Sequence, residues 1–94
     1  MIEIGIAGHI VFQAVRRLNI PPPDIDSSLR DLGLFDCGAR IAFREFVRTG
    51  TLNEGFVIDR EHIPLDADTT LREVIDAVST YALPGQPTTR DDDV

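Results

Sequence analysis

The sequence is short of many of the residues that carry recognisable chemistry. It has no tryptophan and no lysine, one cysteine, one methionine and six aromatic rings counting Tyr81 and five phenylalanines. A single cysteine, Cys37, forms no internal disulfide, so nothing calls for an oxidising compartment. No apolar stretch approaches bilayer length, and no basic segment precedes an apolar run at the start. The expectation is a soluble, cytoplasmic protein. His9 and His62 are the only histidines, and with one cysteine they form no metal-ligand spacing. There is no glycine-rich phosphate loop, no internal repeat and no carboxylate pattern that marks a hydrolase.

What is present fits one small domain. At 94 residues, folding buries roughly 60–65% of the unfolded surface, enough for a single aliphatic core. The net charge of −7 disfavours nonspecific nucleic-acid binding and suits basic partners. Asp91, Asp92 and Asp93 supply three of those acids, so the part ahead of them is less acidic than the total. All nine basic residues are arginines.

From Gly5 to Ile20, Ala7, Val11, Ala14, Val15 and Leu18 recur at three- and four-residue spacing, one face of an amphipathic helix. "IPPPDID" stops it, because consecutive prolines favour extended backbone. "SSLRDLGL" reads as a turn within a long loop, reversing at Gly33. A second helix is expected from Asp36 or Cys37 to about Arg48. Ala39, Ala42, Phe43, Phe46 and Val47 fill an apolar side about 140° wide. Arg40, Arg44 and Arg48 form an exposed stripe beside it, and Ile41 falls outside the apolar side.

"RTGTLNEG" reads as a loop, with a brief hairpin over Thr51 to Val57. "FVIDREHIP" fits a docked turn or short helix. The clearest helix is "TTLREVIDAVSTYA". Thr70 and Glu73 make a capping box, and Leu71, Val74, Ile75, Val78 and Tyr81 mark its buried face. Asp66 and Asp68 read as acids placed ahead of that helix. Residues 84–94 have nothing to bury and are expected to form a disordered acidic tail. The fold expected is all-α: a small four-helix bundle over residues 1–83, with three main helices, one short one and a long first loop.

The order of these segments resembles an acyl or peptidyl carrier protein. An amphipathic helix leads to "IPPPDID", then "SSLRDLGL", then an acid with a short reactive residue at a helix start. "FVIDREHIPLDADTTLREVIDAV" is similar to the family's segment ahead of its last helix. The resemblance runs from about Val11 to Tyr81 and implies a carrier fold of acyl-carrier-protein type. In that family a serine after "LG-x-Asp" receives 4′-phosphopantetheine. The matching position here is Cys37. Phe35 is an extra residue before Asp36, Gly38 replaces an apolar residue, and about five residues are inserted ahead of Phe56. These departures cluster at the attachment position, which implies a carrier scaffold without the prosthetic group.

The family's acidic docking face is also reversed. Asp36, Arg40, Ile41, Arg44 and Arg48 are the candidate partner-binding residues, and they suit an acidic or apolar surface on a pathway enzyme. Arginines at this spacing also form an ordinary solvated helix face and, as a lesser alternative, a phosphate site. Cys37 keeps three readings: a small packed apolar group, a thiol acting directly, or an unusual attachment point. His9 and His62 are its candidate bases if the fold brings them near. Ser27 and Ser28 read as cap or turn residues, or as a displaced attachment hydroxyl. The functional expectation is a noncatalytic protein that docks onto an enzyme of a fatty-acid, polyketide or nonribosomal-peptide pathway.

Overall fold

Helix α1, Ile4–Arg17, turns Ala7, Ile10, Val11, Ala14 and Val15 into the interior. It ends where Asn19 takes the left-handed conformation at φ 62°. The amide of Asn19 donates to Arg16 O and that of Ile20 to Val15 O. This closes a Schellman motif, which satisfies carbonyls the helix leaves without partners. The computed structural model describes residues 2–21 and 23–85 of the chain.

Helix α2 runs from Cys37 to Asn53, five residues beyond the expected end at Arg48. "RTGTLN" is therefore helix rather than loop, and the hairpin expected over Thr51 to Val57 does not form. Tertiary contact is the reason. At Gly50 a Cβ would lie 3.0 Å from Ile10 Cγ2, so a bare backbone lets α1 and α2 approach closely. At the next residue, Thr51 is fully buried and its hydroxyl donates to Val47 O at 2.8 Å. Helix packing thus outweighs the glycine's poor helix propensity, about 1 kcal/mol relative to alanine. Gly55, at φ +86°, ends α2 by donating to Leu52 O. The apparent insertion ahead of Phe56 is absorbed as these last helical turns.

Beyond Gly55 lie strand β1, Phe56–Val57, a 3₁₀ turn at Arg60–His62, helix α3, Leu71–Tyr81, and strand β2, Leu83–Pro84. The strands pair antiparallel, Phe56 opposite Pro84 and Val57 opposite Leu83. The chain is mostly helical, but the described residues hold three α-helices and a small two-stranded sheet rather than a purely α four-helix bundle. The expected short fourth helix is a single 3₁₀ turn. Pro84, expected within a disordered tail, pairs in β2 instead, and residues 86–94 of that expected tail lie outside the described residues.

The capping box of α3 forms as its sequence predicts, with Thr70 Oγ1 accepting from Glu73 N and Glu73 Oε1 from Thr70 N. Its buried face is Leu71, Val74, Ile75, Ala77 and Val78. Tyr81 is not part of it. The ring stands 47% exposed at the helix end, stacked on His62.

The long first loop is laced to the segment ahead of α3. Leu29 N donates to Thr69 O, Arg30 N to Ala67 O, Leu71 N to Ser27 O and Arg72 N to Ile25 O. Two ion pairs at 2.9 Å, Arg30–Asp68 and Arg72–Asp26, follow the same seam. Asp68 thus ties down the first loop instead of standing free at the head of α3. The hydrogen bond and charge of Asp26 raise the Arg72 pKa above its ordinary value. This lacing presses Leu29 and Leu34 into a core with Phe43 and Val47 of α2, Val11 and Val15 of α1 and Val74 and Val78 of α3. Leu34 carries the chain directly to the N-terminus of α2.

Candidate functional site

The start of α2 is built by three local devices. Asp36 adopts extended backbone and its Oδ1 accepts from Ala39 N at 2.7 Å, which makes it the N-cap of α2. Leu34 is buried one residue before Phe35, which fixes the direction in which the turn leaves the core. Arg40 then reaches back: its Nη1 donates to Leu34 O and to Phe35 O, both at 3.0 Å. One guanidinium straps the turn to the first turn of the helix.

Cys37 occupies the first helical position and is exposed. The packed-core reading of this thiol is therefore incorrect, because the first helical position leaves the residue outside the core. Its partner among the described residues is Arg40 Nη2, 3.8 Å from Sγ. His9 lines a depression with Gln13, Arg17 and Asn53, at the opposite end of α2. A helix from Cys37 to Asn53 spans about 24 Å, which removes His9 as a base for the thiol. His62 is stacked flat on Tyr81, centroids 4.3 Å apart, and makes no hydrogen bond to Cys37. The structure brings neither expected base to the thiol.

The arginine stripe is not the exposed face its spacing predicts. Arg40, Arg44 and Arg48 are all half-buried. Arg48 Nε donates to Ile58 O at 3.3 Å and its Nη1 to Glu45 at 3.0 Å, joining α2 to the chain beyond β1. Arg44 is 17% exposed, lies 3.7 Å from Glu45, and its Nε has no hydrogen-bond partner among the described residues. Guanidinium groups on long stems reach the nearest uncapped carbonyls, which helical spacing alone does not reveal.

Two apolar side chains stand out at this end instead. Phe35 is 73% exposed and Ile41 45%. Ile41, which the helical wheel places outside the apolar side, is exposed. Phe35 is the residue that spacing could not place, being a single addition between Leu34, in the core, and Asp36, at the cap. Of the candidate partner residues, Asp36, Arg40 and Ile41 share this end of α2, whereas Arg48 lies two turns away beside Ile58.

Ser28 is a cap. Its Oγ accepts from Asp31 N and its own amide donates to Asp31 Oδ2, while the residue bridges to Thr70. The Ser27 carbonyl accepts from Leu71 N.

The helix start meets part of what a phosphopantetheine ester needs. The amides of Cys37 and Gly38 have no partner among the described residues, and they lie at the positive end of α2. The side chain does not fit, because a phosphodiester forms on a hydroxyl and Cys37 offers a thiol. The nearest cation, Arg40, is committed to the Leu34 and Phe35 carbonyls. Among the described residues, no group of three His, Cys, Asp or Glu side chains is placed to hold a metal, and no helix is long and apolar enough to cross a membrane.

Comparison with protein-family models, curated proteins and solved structures finds no match to this chain.

Proposed function

We propose that the chain is an acyl-carrier-protein-like helical protein that docks onto an enzyme of a fatty-acid, polyketide or nonribosomal-peptide pathway without a phosphopantetheine arm. The observation that carries the reading is the start of α2. There the carrier-like turn keeps its Asp36 cap, a thiol takes the position of the attachment hydroxyl, and Phe35 and Ile41 project beside it. An apolar pair this exposed, set around a helix end tied down by Arg40, suits contact with another protein more than chemistry on a small molecule. The partner surface that fits is apolar at its centre.

The test is intact-mass measurement after incubation with coenzyme A and a broad-specificity phosphopantetheinyl transferase. No mass increment is expected. An increment mapped to Cys37 or Ser28 overturns the reading and makes the chain a divergent functional carrier.

Docking is tested with the assembly-pathway enzyme encoded nearest this chain. Phe35→Asp with Ile41→Asp abolishes its capture on the proposed surface, and undiminished capture rules that surface out. Reversing Arg40, Arg44 and Arg48 is the weaker test, because Arg40 and Arg48 also hold the fold.

A thiol-dependent acyl acceptor or enzyme is favoured by one observation, the exposed Cys37 Sγ with Arg40 at 3.8 Å. Labelling of Cys37 by a mild alkylating agent at neutral pH, much faster than that of a free peptide thiol, supports this reading.

A further inference from the structure

On the exposed side of α3, a groove of about 390 Å³ runs between the helix and the 3₁₀ turn. Its lining joins two kinds of group. His62 and Tyr81 form a parallel stack, rings inclined by 6°, with Ala77 beside them nearly covered. Glu61, Glu73 and Asp76 supply three carboxylates to the same groove, and among the described residues no arginine lines it.

The carboxylates are unevenly engaged. Glu73 gives one oxygen to the Thr70 amide in the capping box. Glu61 and Asp76 have neither an ion pair nor a side-chain hydrogen bond among the described residues. The nearest arginine on α3, Arg72, points its Nε at Asp26 at 2.9 Å, although it also feels the charge of Asp76. Among the described residues Glu61 and Asp76 are therefore free, whereas Asp26 and Asp68 on the first-loop seam are paired.

A flat aromatic pair beside unpaired carboxylates matches one cation better than others. A guanidinium lies flat on a ring while its fork of N–H groups bonds carboxylates at its edge. An ammonium satisfies the charge but offers no plane. We propose that this groove binds an arginine side chain presented by an exposed segment of a partner protein. The surface is separate from the start of α2 and does not depend on the docking reading given for that end.

The experiment is an NMR titration of the isotope-labelled full chain with a blocked peptide carrying two arginines among serines, and with its lysine counterpart. The arginine peptide shifts the ring resonances of His62 and Tyr81 and the amides of Glu61 and Asp76, saturably. Removing the two free charges with Glu61→Gln and Asp76→Asn weakens binding about tenfold, the scale of one charge-assisted hydrogen bond. Tyr81→Leu weakens it about threefold, as loss of an exposed cation–π contact does. The lysine peptide binds the unaltered chain more weakly than the arginine peptide. Unchanged thermal midpoints show that these variants remain folded.

The proposal fails if the shifts fall on Asp91 to Asp93 instead of the groove, if both peptides bind alike, or if the variants bind as well as the unaltered chain. It also fails if the His62 and Tyr81 resonances move with protein concentration alone and Glu61→Gln with Asp76→Asn stops this. The occupant is then a second copy of the chain.

Discussion

The start of α2 and the α3 groove manage charge in opposite ways. Along α2 the conspicuous residues are three arginines, and the fold turns them inward: Arg40 onto the Leu34 and Phe35 carbonyls, Arg48 onto Ile58 O and Glu45, Arg44 into partial burial. The large side chains that remain outward there are apolar, Phe35 and Ile41, beside the Asp36 cap and Cys37. Along α3, by contrast, Glu61 and Asp76 remain free beside an aromatic stack. A charged stripe read from helical spacing is thus no measure of available charge. Arginine reaches six or more bonds from the backbone and satisfies carbonyls left bare by loops, whereas aspartate on a helix face has little reach.

The sharpest way to strain this contrast is at the contact that lets α2 extend past Arg48. Gly50→Leu forces a side chain into a site where even a Cβ lies 3.0 Å from Ile10. The expected loss is about 2–3 kcal/mol by urea denaturation, the scale of an overpacked core. A loss below about 0.5 kcal/mol would show that the helices do not depend on this approach.

Arg40→Met keeps the aliphatic stem but leaves the Leu34 and Phe35 carbonyls without their donor. A cost of about 1–2 kcal/mol is expected, reduced from the buried value because water reaches part of the turn. If Arg40 were a solvated surface charge, the same change would be near neutral.

The smallest effect belongs to the acidic side. Asp76→Asn and Glu61→Gln alter unpaired, exposed groups, and each is expected to move stability by no more than about 0.5 kcal/mol. A larger loss in either would mean that these acids hold the fold as the arginines do, and the contrast between the two regions would collapse.

Much of the helical framework was legible because its signals are local. The Thr70–Glu73 capping box, the start of α2 at Cys37 and the apolar face of α1 rest on short-range spacing and appear where the sequence places them, although α1 ends at Arg17 rather than near Ile20. The errors share a different cause. "RTGTLN" carries loop residues, yet Gly50 serves a contact with a helix forty residues earlier. Tyr81 continues the apolar spacing of α3, but the helix has reached its end there and His62 offers a stacking face. At the candidate site, the helix start beside Asp36 and the place of Ile41 outside the apolar side were legible, while the exposure of Cys37 and the inward turn of the arginines were not. Those depend on which carbonyls and side chains the loops deliver to α2.

Local signals in the chain suffice to place helices α1 and α3 to within a few residues, the start of α2, the turn of the first loop at Gly33 and one thiol at a helix start. Those features rest on backbone propensity, capping and short-range periodicity. Tertiary structure alone decided how far α2 runs, that Phe56 and Val57 pair with Leu83 and Pro84, and which charges remain free. The physical reason is that each of these depends on partners distant in the chain. A carbonyl, a ring or a close helix approach selects among conformations that the local sequence leaves nearly equal in energy.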